Sequence, residues 1–409
     1  MLSHCRVLDL TDEKGFLCGK ILADLGADVI KVEEPGGDSS RRIGPFWDDV
    51  ADPEKSLYWF AYNSNKKGIT LDIETADGKE ILKSLIKASD FVIESFHPGH
   101  MEKLDLGYST LNDINKGIIM TSISPFGQKG PYRDFHASDI TLMGMSGLLF
   151  MTGERDDPPV NISIPQACLL AGADAAVGSL IAYYSRKMSG QGQHVDVSMQ
   201  QSAAWFLAMT IPYWELDGIV LERVGAYRTN SLGTIQRQMW HCKDGYIFFF
   251  MMGGLQGAKS CRQLVKWMDD EGMGNEYLKA MEWENFDMGT ATQEVIDQIS
   301  RPLEEFFLAH TKDEILTEAV KRSISICPLS DMGDLINDRS LKERGFWHEV
   351  EHRELGVKIP YPKQFFKSSE EISMNRFRAP FIGEHNEEVY NALGISKKDR
   401  ILLKEAGVI

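Results

Sequence analysis

The side chains that could do chemistry in this sequence are Cys168, Asp139, His97, His136, Lys66, Lys67 and Lys103. Cys168 stands at the head of a helix expected from about Ala167, inside the stretch Pro158 to Ala203. A helix start carries unpaired N–H groups and the positive end of the dipole, so it suits a negative charge or an anion. A cysteine there can have a lowered pKa and accept an acyl group; a small buried filler is the alternative. Asp139 opens another expected helix after the long loop that begins at Ser124, and loops of that length are often functional. A helix cap is the alternative for Asp139. Lys66 and Lys67, in the run Asn63 to Lys67, offer two ammonium groups beside a turn and so suit a phosphate; a solvated strand end would look the same. His97, Pro98 and Gly99, with Lys103 shortly after, follow a strand whose carboxyl end is where open parallel sheets bind ligands. His136 joins these binding candidates, although an ordinary polar loop residue also accounts for it.

The elements that must position these groups follow from periodicity. Strands are expected at Arg6 to Leu10, Asp28 to Glu33, Lys67 to Ile73, Asp90 to Phe96, Ile118 to Ser124 and His194 to Ser198. Helical spacing separates them at Leu17 to Leu25, Ala76 to Ala88 and Thr110 to Asn115. Alternation of this kind implies right-handed βαβ crossovers and an α/β fold with a doubly wound parallel sheet. Small residues such as Ala171, Gly172, Ala175, Ala176 and Gly178 allow something to pack close to the helix that Cys168 begins. After about Met209 the pattern changes: residues 217–237 read as loop, an aromatic strand follows at Tyr246 to Phe250, and three helical segments come next. The expected organisation is a large domain over 1–210, a small α+β domain over 225–325, and a return to the large domain over 331–409. A nicotinamide fold would need GxGxxG between the first strand and its helix, and the linker there has only Gly15 and Gly19, wrongly spaced.

Composition narrows the partners. With 44 basic and 60 acidic residues in 409, the net charge of −16 argues against nucleic acid, which needs a basic face. No uninterrupted apolar run reaches the ~18 residues of a membrane span, and the first residues lack a signal-peptide core. The six cysteines have no CxxC or His-paired spacing, so neither disulfides nor a metal site is expected, and a reducing cytoplasm is.

The motifs VLDLT, LADLGADVIKVE, NKKGITLDIET, the HPG turn, SISPFGQKGPY, MSGLLFMTG, GQGQHVDVSMQ and GEHNEEVY together resemble the class III coenzyme A-transferases, the CaiB/BaiF family, over essentially the whole chain. The resemblance implies a Rossmann-like domain built from both ends of the chain, with the smaller domain inserted. It also implies two interlocked subunits and coenzyme A bound where they meet. In that chemistry an aspartate attacks an acyl-CoA thioester, forms a mixed anhydride and then an enzyme-bound coenzyme A thioester, and passes the coenzyme to a carboxylic acid. Counted from Pro158 and Pro159 on one side and Gly172 and Gly178 on the other, the position of that aspartate is Cys168, and no acidic residue lies between Pro159 and Ala173. The related racemases add a histidine whose place here is Ser138. An arginine common in the HPG-type turn is His97, a position that is often basic is Glu34, and a glycine run is reduced to Ser231-Leu232-Gly233.

These departures point to a catalytically silent subunit, paired in a heterodimer or heterotetramer with a paralogue that keeps the aspartate. One heteromeric member of the family passes coenzyme A from succinyl-CoA to an aromatic succinate in anaerobic aromatic degradation. By analogy, the resemblance implies such substrates here. Two alternatives stand beside this: a self-sufficient transferase that uses Asp139 in a rearranged site, and a non-enzymatic homodimer that binds coenzyme A. Trp205, Phe206, Tyr213 and Trp214 would line an acyl pocket or belong to the core.

Overall fold

The computed structural model describes residues 1–230, 232–363, 365–369 and 377–409; Ser231 of the reduced glycine run lies outside them. The chain folds into two units, one of residues 1–149, 162–220 and 343–409, the other of residues 150–161 and 221–342.

In the larger unit, apolar runs form strands because both of their faces are buried, the pattern of a parallel sheet covered on each side. Strands β1 (Arg6–Leu10), β2 (Asp28–Glu33), β3 (Lys67–Thr70), β4 (Phe91–Glu94), β5 (Ile119–Ser124) and β6 (His194–Ser198) form one sheet in the order β3-β2-β1-β4-β5-β6. Every pairing is parallel. The expected doubly wound α/β fold is therefore present, and its strand order reverses between β1 and β4. Helices α1 (Phe16–Asp24), α2 (Leu57–Asn63), α3 (Ala76–Ile86), α4 (His100–Lys103), α5 (Tyr108–Ile114), α6 (Asp139–Met145), α7 (Gln166–Ser189), α8 (Met199–Trp205) and α9 (Thr210–Asp217) belong to this unit. One face of the sheet packs Val7, Val29 and Ile123 against Cys18 and Leu22 of α1 and Ala171 and Ala175 of α7. The other packs Leu8, Ile30, Val92 and Met120 against Leu82 and Leu85 of α3 and Leu111 of α5.

Small residues bring α7 very close to its neighbours. A methyl group on Gly172 would lie 2.9 Å from the Leu17 side chain of α1, and one on Gly178 would lie 2.9 Å from Val195 of β6. By length and composition alone α7 could cross a membrane. Its buried alanines and packing on α1 and β5 are those of a core helix.

The second unit begins its sheet work after residue 221. A hairpin of β7 (Tyr227–Thr229) and β8 (Ile235–Arg237) occupies part of the stretch expected to be loop, because three-residue strands are too short to show alternation. Strands β9 (Met239–Cys242) and β10 (Gly245–Phe249), joined by the turn at Lys243 and Asp244, form an antiparallel sheet with β11 (Ile326–Leu329). Helices α10 (Gly254–Asp270), α11 (Glu276–Ala280), α12 (Gln293–Leu308) and α13 (Lys312–Arg322) cover it around Trp240, Phe249, Trp267, Phe306 and Phe307. Residues 150–161 group here rather than with the stretch 1–210 because Arg223 Nε donates to the carbonyls of Glu154, at 3.0 Å, and Asp157, at 2.9 Å. Beyond residue 343 the chain returns to the larger unit. There β12 (Trp347–His352) pairs with β13 (Val357–Pro362), and α14 (Asn386–Ala392) packs on β3.

The glycines of the first linker serve packing. Gly19 leaves room for Asp9, whose carboxylate would meet a methyl group there at 2.1 Å. Asp9 is fully buried and paired with Lys66 Nζ at 2.8 Å; that ammonium also donates to Asn63 Oδ1 at 2.9 Å and to the Phe16 carbonyl at 3.1 Å. Removing one partner strands a buried charge. Lys66→Met is therefore expected to lower stability by about 3–5 kcal/mol in urea unfolding. A change under about 1 kcal/mol, the range of an exposed pair, would contradict this assignment.

Candidate active site

Because α7 is the crossover helix into the parallel strand β6, its N-terminus lies at the carboxyl edge of the sheet, the edge that carries the reversal between β1 and β4. The residue before α7 is Pro165, which has no side-chain acceptor for the first-turn N–H groups. Asp139 supplies the acceptors from the first turn of α6. Its Oδ2 accepts from the Gln166 N–H and its Oδ1 from the Cys168 N–H, each at 3.1 Å. The carboxylate thus sits between the N-terminal ends of two helices and satisfies two otherwise unpaired N–H groups of α7.

Cys168 is 6% exposed and lies in the first turn of α7. Burial and then the neighbouring Asp139 push its thiol well above the ordinary cysteine range. The helix N-terminus therefore holds a neutral thiol, first because Cys168 is buried and then because the Asp139 carboxylate lies beside it. Around the sulfur the fold gathers Glu13 and Lys14, both close enough to act on it electrostatically, and Tyr58, whose hydroxyl feels Cys168 and Glu13. Burial opposes the charge of Lys14, but Asp12, with Glu13, holds its ammonium above the usual lysine value. Asp12 is tied across the strand reversal to Ser95, which donates to Asp12 Oδ1 at 2.7 Å and accepts the Asp12 N–H at 2.9 Å. Glycine spacing in the linker gives no sign of this Asp12-Glu13-Lys14 run. The available signal is the carboxyl end of the first strand, the edge at which open parallel sheets bind ligands.

Of the binding candidates, the structure brings His97 and His136 together with ring centroids 4.8 Å apart. His97 Nε2 lies 3.3 Å from the Asp134 carbonyl, so the loop of 125–137 folds back onto the turn after β4. Arg133 joins them: a methyl group on Gly99, which has φ of 88°, would lie 3.1 Å from its Nη2. Lys103 is exposed at the end of α4. Two candidates fail on position. Lys66 is buried in its pair with Asp9 and has no free face for a phosphate. Lys67 begins β3 at the opposite, amino edge of the sheet, where it bridges Asp28 at 3.0 Å and Glu388 at 2.8 Å. The spacing NSNKK could not show that these two ammonium groups were already paired. Trp205, Phe206 and Trp214 are not core: they are 75%, 61% and 56% exposed.

The family model for CoA-transferase family III matches residues 2–386. The chain belongs to this family. Among the members to which it is similar is the succinyl-CoA:(R)-benzylsuccinate CoA-transferase subunit BbsE of Thauera aromatica, 33% identical over 95% of this chain and 93% of that one. Formyl-CoA:oxalate CoA-transferase of Streptomyces avermitilis is 30% identical over 100% and 99% of the two chains. A CaiB/BaiF family protein from Brucella suis, solved by crystallography, superposes with a TM-score of 0.81 at 29% identity and covers 95% of this chain and 98% of its own. The family III fold accounts for the Rossmann-like sheet and for the second unit inserted in it.

The capping role of Asp139 has a measurable consequence for the thiol beside it. Asp139→Ala removes an anion next to Cys168 and frees the helix dipole, so the thiol pKa should fall and its alkylation by iodoacetamide at mildly alkaline pH should speed up. Loss of the cap should also cost about 1–2 kcal/mol in unfolding. Unchanged alkylation would contradict the arrangement.

Proposed function

We propose that this chain is the catalytically silent subunit of a family III coenzyme A-transferase and works with a paralogue that supplies the nucleophilic aspartate. The observation that carries the reading is at α7. Where the family's aspartate would attack the thioester, this chain has the buried, neutral thiol of Cys168. The nearest carboxylate, Asp139, has both oxygens engaged by the N–H groups of Gln166 and Cys168. Hydrogen bonds to both oxygens stabilise that carboxylate and weaken it as a nucleophile, and acyl transfer to a cysteine would give another thioester rather than the anhydride that lets coenzyme A be exchanged. The geometry disfavours Asp139 as a substitute nucleophile for the same reason.

Coenzyme A is the ligand proposed for the turn and loop at the carboxyl edge, with His97, His136, Lys103 and Arg133 near its phosphates. An assembly with a partner subunit is supported by the apolar side chains that α7, α8 and α9 leave exposed, among them Ile181, Tyr184, Met188, Trp205 and Trp214. A patch of that kind on a single chain marks an interaction surface. The interlocked arrangement of the family would cover it. The similarity to a subunit of a benzylsuccinate enzyme supports succinyl-CoA as donor and an aromatic succinate as acceptor.

The purified chain alone should show no transfer of coenzyme A between succinyl-CoA and benzylsuccinate. Activity should appear when it is co-expressed and co-purified with a paralogue carrying the aspartate. Turnover by the isolated chain that Asp139→Ala abolishes would overturn the reading. Introducing the missing group by Cys168→Asp is expected to give the chain thioester exchange of its own.

A further inference from the structure

Between the loop of 125–137 and the end of β6 lies a cavity of about 380 Å³. Phe126, Lys129 and Tyr132 of the loop line one side, and Asp196, Ser198 and Gln201 line the other. Its walls are held in place from both sides. Each oxygen of the Asp196 carboxylate lies 3.0 Å from the Gln128 N–H, which ties the loop to β6. On α8 the Gln200 N–H donates to the Pro125 carbonyl at 3.1 Å, and its side-chain amide donates to the Met145 carbonyl at 3.0 Å. Aromatic packing holds the loop side. The Tyr132 ring lies 5.1 Å from that of Phe135 at 31° and 5.6 Å from that of Phe126 at 65°. Tyr132 and Phe135 remain exposed.

Small-molecule sites run from roughly 300 to 1,000 Å³, so this cavity has room for a ring system but not for a whole coenzyme. Its aromatic wall suits a flat ring, since stacking on tyrosine or phenylalanine contributes about 1–3 kcal/mol per base. The opposite wall decides which kind of ring. The side chains of Gln201 and Lys129 have no hydrogen bond or ion pair among the described residues. Asp196 keeps acceptor capacity beyond the Gln128 N–H. A phenyl ring would take water from these groups and leave them unpaired, which is costly. A purine carrying an exocyclic amine meets them: its ring nitrogens accept from the Gln201 amide, and its amine donates to Asp196. Next to Tyr132 stands a guanidinium suited to a phosphate. Arg133 Nε is buried and has no hydrogen-bond partner among the described residues, and its Nη2 sits against Gly99 of the turn.

We propose that this cavity takes the adenine of coenzyme A, with the ring against Tyr132 and its polar edge on Gln201 and Asp196, and that Arg133 and Lys129 take the phosphates beside the ribose. The proposal rests on the reading that the turn and loop bind coenzyme A, and it assigns the nucleotide end of the coenzyme to the loop. Recognition here involves no covalent step.

The probe is adenosine 3′,5′-bisphosphate, which carries the base, ribose and phosphate charge of the coenzyme without its thiol arm. In calorimetry on the purified full chain, Tyr132→Ala should weaken both the bisphosphate and coenzyme A roughly tenfold. Tyr132→Phe keeps the ring and should leave both affinities unchanged, which separates stacking from a loss of fold. Gln201→Leu and Arg133→Ala should each weaken both ligands. Coenzyme A binding that is unchanged in Tyr132→Ala and Gln201→Leu overturns the assignment of the cavity and leaves the coenzyme reading intact. Benzylsuccinate binding that follows these substitutions, where the bisphosphate does not, overturns it in favour of an acyl site. If the wild-type chain binds neither coenzyme A nor the bisphosphate, the coenzyme reading of the loop fails and the proposal falls with it.

Discussion

The pair of hydrogen bonds from the first turn of α7 to Asp139 is the constraint on which this site depends. A helix of 24 residues ends in unsatisfied N–H groups wherever it begins, and here it begins after a proline that cannot cap it. The carboxylate that answers this need comes from another helix, and each oxygen of Asp139 accepts one of these N–H groups. It also fixes the state of its neighbour. With the dipole neutralised and an anion beside it, Cys168 gains none of the activation that a helix N-terminus gives a thiol. A single electrostatic arrangement thus satisfies the helix and places a carboxylate beside the buried thiol of Cys168.

The scaffold around that position is intact. Gly172 and Gly178 still bring α7 against α1 and β6, the strand order still reverses between β1 and β4, and the loop of 125–137 still covers the turn at His97. On the proposed reading, an assembly of specialised subunits permits loss of the attacking carboxylate without damage to this frame. The exposed aromatic residues of α8 and α9 fit the same proposal, since large apolar side chains left open on one chain mark an interaction surface.

The fold was legible in the sequence because central parallel strands are buried on both faces and read as short apolar runs, each followed by a helix or turn. Boundaries of β1, β2 and β6 fall where alternation and turn residues place them. Short strands such as those of the 227–237 hairpin carry too few residues to show a period. At the site, the capping by Asp139 could not be read from the sequence, since it joins residues 27 and 29 positions apart. Lys66 misled for the same reason. Its partner Asp9 lies 57 residues away, and only the folded sheet shows that the ammonium is buried.

Which subunit carries the covalent intermediate is the most direct question to put to this account. The assembled enzyme, supplied with succinyl-CoA and quenched with hydroxylamine, can be digested and mapped by mass spectrometry. The account predicts an aspartyl hydroxamate on the partner subunit alone, with Asp139 and Cys168 of this chain unmodified. A hydroxamate on Asp139, or an acyl group on Cys168, would contradict it.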